Sequence, residues 1–275
     1  MSNSRQKILM CAPDHYGVEY VINPWMEGQL GHADRSTAHW QWQGLRNALT
    51  AEADILTIAP VPGLPDLVFT ANAGFVLGDT VVVSRFRSPE RQAEEAPFRE
   101  WFEQNGFIVA DWPQDVFFEG AGDALIDRGR SLIWCGHGFR SDLNASNMLE
   151  DIYGWPVIPL HLVDARFYHL DTCLCPLDGG WLMYFPPAFD AVSQRKIEAI
   201  IPLEKRIIVG EKDAQDFACN AVDLNGRIFM NNASEDLQNQ LRAAGFKPTL
   251  TPLTEFLKAG GAAKCLTLKL QEHLA

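Results

Sequence analysis

The 275-residue sequence predicts an α/β fold: a propeller-like ring of five ββαβ-type units around a pseudo-five-fold axis. Three observations predict it. Apolar runs alternate between the two-residue period of strands and the 3.6-residue period of helices, and the alternation repeats. Polar clusters centred on Asn72, Glu119, His169, Asn220 and Cys265 each stand just before a hairpin, at intervals of 47, 50, 51 and 45 residues. The two ends supply complementary pieces of one unit, so the repeat closes through the termini.

Taken in order, residues 7–10 (KILM) read as a buried strand, and 35–52 as a helix with Trp40, Leu45 and Leu49 on one face. Residues 54–59 (DILTIA) follow as a strand. The first complete unit has a hairpin at 73–84 turning at Gly78-Asp79, a helix at 90–105 stopped by Gly106, and a strand at 107–111. The second has a hairpin at 124–135 around Arg128-Gly129, a helix at 141–153 and a strand at 156–162. The third has a hairpin at 173–184, a helix at 193–201 and a strand at 206–210. The fourth has a hairpin at 221–230 turning at Asn225-Gly226, a helix at 234–244 and a strand at 248–252. The fifth is split: 265–270 (CLTLKL) pairs with 7–10, and 35–59 completes it. No composition shift marks a linker, so residues 1–275 read as a single domain, its ring closure hiding the sheet edges.

Composition excludes several classes. A 47% apolar and 21% charged content is that of an ordinary globular protein. The formal charge of −12 disfavours nucleic acid and anionic membrane as partners and favours a cationic small molecule. No 18-residue run lacks a charge, and residues 1–7 lack the apolar region of a signal peptide. A cytoplasmic location is expected, with the six scattered cysteines as reduced thiols. Trp25, Trp40, Trp42 and Trp155 fit a core or an interface equally well, so the sequence is compatible with a homo-oligomer.

Equivalent positions of a ring all face its axis. Cys265, His169 and Glu119 are therefore expected in one central pocket, although each alone would pass for a core residue. A thiolate is the strongest side-chain nucleophile, an imidazole can hand a proton to a leaving amine and take one from water, and a carboxylate can orient the imidazole or hold a cation. Cys265 follows Gly260-Gly261-Ala262-Ala263, where substrate or backbone can approach closely. A rival reading places His169, Asp171, Cys173 and Cys175 on one strand face as a metal site. That segment lacks the paired Cys-x-x-Cys of structural zinc, and no metal or other cofactor is expected.

The motifs PDLVFTANAGF (65–75), FFEGAGDAL (117–125), GFRSD (138–142), YHLDTCLCPL (168–177) and GGAAKCLTL (260–268) resemble the guanidine-modifying, or pentein, superfamily. Arginine deiminase, dimethylarginine dimethylaminohydrolase, arginine amidinotransferase and arginine dihydrolase belong to it. The segments 11–28 and 252–266 are similar to the catalytic domain of the cyanobacterial arginine dihydrolases, which continue into an ornithine-processing domain absent from these 275 residues. The resemblance implies a five-bladed α/β propeller with L-arginine or a related guanidine on its axis. It implies that Cys265 attacks the guanidinium carbon to form a covalent adduct, and that His169 protonates the leaving amine and activates water. Glu119 would bind the guanidinium and support His169. Asp171 would hold substrate nitrogen, and Asn23, Arg91 and Arg140 the amino-acid end, with Arg85 as an additional candidate. Asp66, beside Pro65, would contact substrate or cap a turn.

One departure from the pattern bears on the reaction. Deiminases and dimethylargininases have an acid where this sequence has Asn72. A carboxylate only accepts hydrogen bonds, whereas an amide both donates and accepts. Asn72 thus suits both a guanidinium and the ureido group of citrulline, which favours a dihydrolase giving ornithine, ammonia and carbon dioxide. Dimethylargininase, deiminase and amidinotransferase activities are the alternatives on the same scaffold, and a non-enzymatic binding ring is a further one.

Overall fold

A computed structural model describes residues 5–271. The chain enters on β1 (Gln6–Cys11), crosses through α1 (Arg35–Thr50) and returns on β2 (Ala53–Ile58), parallel to β1. A hairpin of β3 (Gly74–Leu77) and β4 (Thr80–Val83) leads through α2 (Glu95–Gln104) to β5 (Ile108–Val109). The pattern then repeats: β6 (Ala124–Asp127), β7 (Leu132–His137), α3 (Asn144–Tyr153) and β8 (Val157–His161), then β9 (Leu174–Leu177), β10 (Trp181–Tyr184), α4 (Ala191–Ile200) and β11 (Arg206–Ile208). A short helix α5 (Glu211–Gln215) precedes β12 (Val222–Leu224), β13 (Arg227–Met230), α6 (Glu235–Ala243) and β14 (Lys247–Leu250). Helix α7 (Thr254–Leu257) and β15 (Leu268–Lys269) complete the described chain.

Five separate three-stranded sheets result, each an antiparallel pair with a third, parallel strand. In the split unit β15 pairs antiparallel to β1, with Leu9 opposite Leu268. The hairpins turn where the sequence predicts because Gly78 and Gly226, with φ of 68° and 78°, adopt a left-handed conformation that costs glycine little. No hydrogen-bonded ladder passes from sheet to sheet, so ring closure does not hide the strand edges as expected. The units are joined by packing, by isolated bridges such as Arg85–Phe118, and by hydrogen bonds at the hub.

Three corrections concern local structure. Trp40 is 71% exposed, and the buried face of α1 carries Ala38, Trp42, Leu45 and Leu49. A five-residue step from 40 to 45 turns about 140° around a helix, whereas 38, 42, 45 and 49 stay on one side. The predicted helix at 90–105 starts as a 3-10 turn over Pro89–Glu94, with Pro89 in its first turn, and becomes α-helical only at Glu95. Residues Leu170–Thr172 form a 3-10 turn and the strand starts at Leu174, so His169, Asp171, Cys173 and Cys175 do not alternate along one strand face.

Candidate active site

Each of the five polar residues that mark the repeat sits in the turn just before its unit's inner strand, and neighbouring turns are hydrogen-bonded in succession. The Asn72 side-chain amide donates to the Glu119 carbonyl at 2.9 Å. The Leu170 amide, one residue past His169, donates to Asp123 at 3.0 Å. The Asn220 side chain donates to the Asp171 carbonyl at 3.0 Å, and the Lys264 amide to the Asn220 carbonyl at 3.2 Å. The Ala71 amide donates to the Cys265 carbonyl at 3.0 Å, returning the series to its start. This girdle holds the site residues at the hub.

Two glycines at the girdle leave no room for a side chain. A Cβ at Gly122 would meet Asn72 Nδ2 at 2.4 Å, and one at Gly261 would meet the Phe69 ring at 2.5 Å. Here the backbone of the glycine motifs has to pass within contact distance of the site residues.

His169, Asn72, Cys265, Asn23, Asp66, Arg91 and Arg140 all line one cavity, together with Tyr168, Phe69, Gly260 and Gly261. Its volume of about 10 Å³ is the room of roughly one water molecule. Glu119 and Asp171 stand immediately behind this lining. Glu119 Oε2 lies 2.7 Å from His169 Nε2, which donates to it, because an ionised carboxylate only accepts. The same oxygen accepts from Arg140 Nη1 at 3.3 Å. Burial alone would raise the Glu119 pKa, but Arg140, the His169 hydrogen bond and Arg91 hold it down to about 2, so it stays anionic.

Cys265 is buried and its Sγ lies 3.5 and 3.7 Å from the two Asp171 oxygens. Asn220 donates to Sγ through Nδ2 at 3.1 Å and accepts the Cys265 and Ala262 amides through Oδ1 at 3.1 and 3.0 Å. Burial and the neighbouring Asp171 raise the thiol well above its ordinary value, so the resting sulfur is protonated. A cation placed beside Sγ would offset both effects and release the proton. Asp171 is pushed up to about 7 by burial, against the opposing charge of Lys264 and hydrogen bonds from Cys265 and Asn220.

The two predicted arginines are buried, and their forks are largely engaged by the protein. Arg91 grips Glu94 at 2.7 and 3.0 Å, and its Nη1 donates to Asn72 Oδ1 at 3.0 Å. Arg140 bridges Glu119 to the Ile22 carbonyl at 2.8 Å and stacks over the Tyr168 ring. Asn23 caps the turn over Pro24–Met26 and donates to the Ala259 carbonyl at 3.1 Å. Asp66 accepts from Tyr20 through Oδ2 at 2.9 Å, whereas its buried Oδ1 has no hydrogen-bond partner among the described residues. A carboxylate oxygen left unpaired on a cavity wall calls for a donor from a ligand. Arg85 is not brought to this cavity and pairs with Glu95 at 3.1 Å.

Sequence reasoning placed Asn220 at a repeat centre but gave it no part in the chemistry, and it passed over Tyr20, Tyr168 and Glu94. The repeat spacing was the available signal for Asn220. Tyr168 stands beside His169 in the motif 168–177 and Tyr20 within the segment 11–28, but neither carries a spacing signal of its own, and Glu94 carries none.

A family model described as N,N dimethylarginine dimethylhydrolase, eukaryotic, matches residues 35–272. The bifunctional arginine dihydrolase/ornithine cyclodeaminase ArgZ of Synechocystis sp. is 57% identical over 268 residues, which cover 98% of this chain. The chain spans 38% of the length of that relative. The N(G),N(G)-dimethylarginine dimethylaminohydrolase of Mycobacterium tuberculosis is 40% identical, covering 96% of this chain and 86% of its own. The crystal structure of the ArgZ N-terminal domain bound to product superposes with a TM-score of 0.97 at 56% identity, covering 98% of each chain. With a family match over most of its length and a full-span relative at 40% identity, the chain belongs to the dimethylarginine dimethylaminohydrolase family.

Proposed function

We propose that the protein is an arginine dihydrolase that takes L-arginine through two hydrolyses to ornithine, ammonia and carbon dioxide. The observation that carries this reading is the one cavity that Cys265, His169 and Asn72 share, with Asp171 3.5 Å from the thiol and Glu119 2.7 Å from the imidazole just behind its lining. Its support from relatives is that ArgZ structures exist with substrate bound to a cysteine-to-serine variant and with an intermediate covalently bound to an asparagine-to-serine variant. Cysteine and asparagine are the residue types of Cys265 and Asn72.

In this reading the guanidinium binds beside Asp171 and Sγ, its charge lowers the cost of the thiolate, the Cys265 proton passes to His169, and the thiolate adds to the guanidinium carbon. His169 protonates one terminal nitrogen, a C–N bond breaks and ammonia leaves. Water activated by His169 then adds to the amidino adduct, the C–S bond breaks and the ureido product forms. A second attack expels the other terminal nitrogen as ammonia, and water converts the thiocarbamate to a carbamic acid that loses carbon dioxide. Two waters enter for each ornithine, two ammonia and one carbon dioxide released. The free Asp66 Oδ1 suits the substrate's ammonium, and remaining N–H groups of Arg91 and Arg140 suit its carboxylate. Asn72 retains one Nδ2 hydrogen to give a ureido oxygen, which a carboxylate there would repel. Ile22, Asn23 and Met26 form part of the cavity wall.

The test is a product assay. L-Arginine is expected to give ammonia and ornithine in a ratio of two to one. Accumulation of citrulline with one ammonia would refute the dihydrolase reading in favour of a deiminase. Turnover confined to methylated arginine would favour a dimethylargininase.

The pH profile carries a signed expectation. Asp171 must be ionised to hold a cation, and its raised pKa means it gains a proton as pH falls through about 7. The value of kcat/KM is therefore expected to fall below about pH 7, approaching roughly tenfold per unit. A flat profile from pH 7 to 5 would contradict the role of Asp171. The location fitted by six free cysteines is a reducing compartment, the cytoplasm. No helix among the described residues is long and apolar enough to cross a membrane.

A further inference from the structure

We propose that Asp123, acting through Ser141, is the positioning residue that keeps Glu119 and His169 in register. Neither Asp123 nor Ser141 lines the substrate cavity, and both are buried, at 1% and 2% exposure. Ser141 Oγ accepts the Glu119 backbone amide at 3.0 Å and donates to Asp123 Oδ2 at 2.6 Å. The other oxygen, Oδ1, accepts the Leu170 amide at 3.0 Å. Leu170 follows His169, and His169 returns to Glu119 Oε2 at 2.7 Å. One carboxylate therefore closes a ring of hydrogen bonds that fixes the backbone of the acid at one end and of the imidazole at the other.

The ring is polar, buried and fully paired, the state in which such a network gives rigidity instead of a penalty. Its surroundings have no slack. The Gly136 amide donates to the Asp123 carbonyl at 2.7 Å, and a Cβ at Gly136 would come within 3.0 Å of Asp123 Oδ1 and 2.8 Å of the Leu170 Cβ. Ser141 is a two-way relay: it must accept on the Glu119 side and donate on the Asp123 side. Alanine supplies neither function, and threonine supplies both. Asparagine at 123 would present an N–H to Ser141 and turn the relay's proton away from its acceptor.

The inference rests on the arginine dihydrolase reading for its kinetic readout, and a second readout is independent of substrate. Three variants are compared with the wild type, Ser141→Ala, Ser141→Thr and Asp123→Asn. The expected result is a fall in kcat of about 10- to 100-fold for Ser141→Ala and Asp123→Asn, as for a small displacement of a catalytic pair, with KM within about threefold. Ser141→Thr is expected to restore most of kcat. Nitrogen-15 NMR of the His169 ring, assigned with His169→Gln, is expected to show the Nε2–H to Glu119 hydrogen bond in the wild type and Ser141→Thr and its loss in Ser141→Ala. A wild type inactive on arginine would refute the functional reading and leave the NMR comparison to decide this one. Unchanged kcat in Ser141→Ala, or an unchanged imidazole signal in it, would overturn the inference. So would a kcat loss in all three variants that tracks melting temperature alone.

Discussion

Cys265→Ala is expected to lower arginine turnover by a factor on the order of 10⁴ or more, while arginine still binds. The loss is large because no other group can replace the sulfur. The remaining five cysteines are buried in the core, and none of them lines the cavity. Burial also pushes three of them, Cys11, Cys135 and Cys175, up to about 12, far from reactive thiolates. Binding should survive because Asp171, Asp66, Asn72, Arg91 and Arg140 remain, and alanine removes only the Sγ that touches Asp171. Calorimetry with arginine on the variant, beside single-turnover kinetics on the wild type, measures both halves. Full activity in the variant would end the assignment of Cys265.

The second large effect is expected for Glu119→Gln. The substitution keeps the shape of the side chain but removes the charge that Arg140 and His169 share. His169 loses the anionic acceptor that orients it, and general acid–base steps of this kind contribute about 10²- to 10⁴-fold. Stability falls as well, because Arg140 is left as a buried cation facing a neutral amide. Removing one member of a buried pair costs about 3–5 kcal/mol, and the amide oxygen of glutamine should keep the loss near the lower figure. Kinetics and chemical denaturation of the same variant read the two effects separately. A stable variant with wild-type kcat would show that the Glu119–His169 contact has no part in turnover.

The fold was legible in the sequence because its signals are local and repeated. Gly78-Asp79 and Asn225-Gly226 mark hairpins through turn chemistry, and the alternating apolar residues around them set the strand faces. The convergence of Cys265, His169 and Glu119 was legible because equal spacing along the chain became equal placement around the hub. What was not legible depends on contacts between units. Nothing beside Asn220 in the chain indicates that its amide will hold both the backbone and the sulfur of Cys265. Nothing beside Arg91 indicates that Glu94, three residues on, will take its fork inside the protein and not at the surface. The 3-10 turns before the first three hairpins left no periodic trace, so the segment from His169 to Cys175 read as a strand. Trp40 was misplaced for another reason: α1 carries two tryptophans two residues apart, and only Trp42 keeps the angular spacing of Leu45 and Leu49.

Rapid quenching of the wild-type protein during turnover of L-arginine carrying ¹³C at the guanidino carbon, followed by peptide mass mapping, tests the covalent route at its sulfur. Label is predicted on the peptide containing Cys265, appearing before labelled carbon dioxide and absent from the Cys265→Ala protein. Turnover at full rate with no labelled Cys265 at any quench time would contradict it.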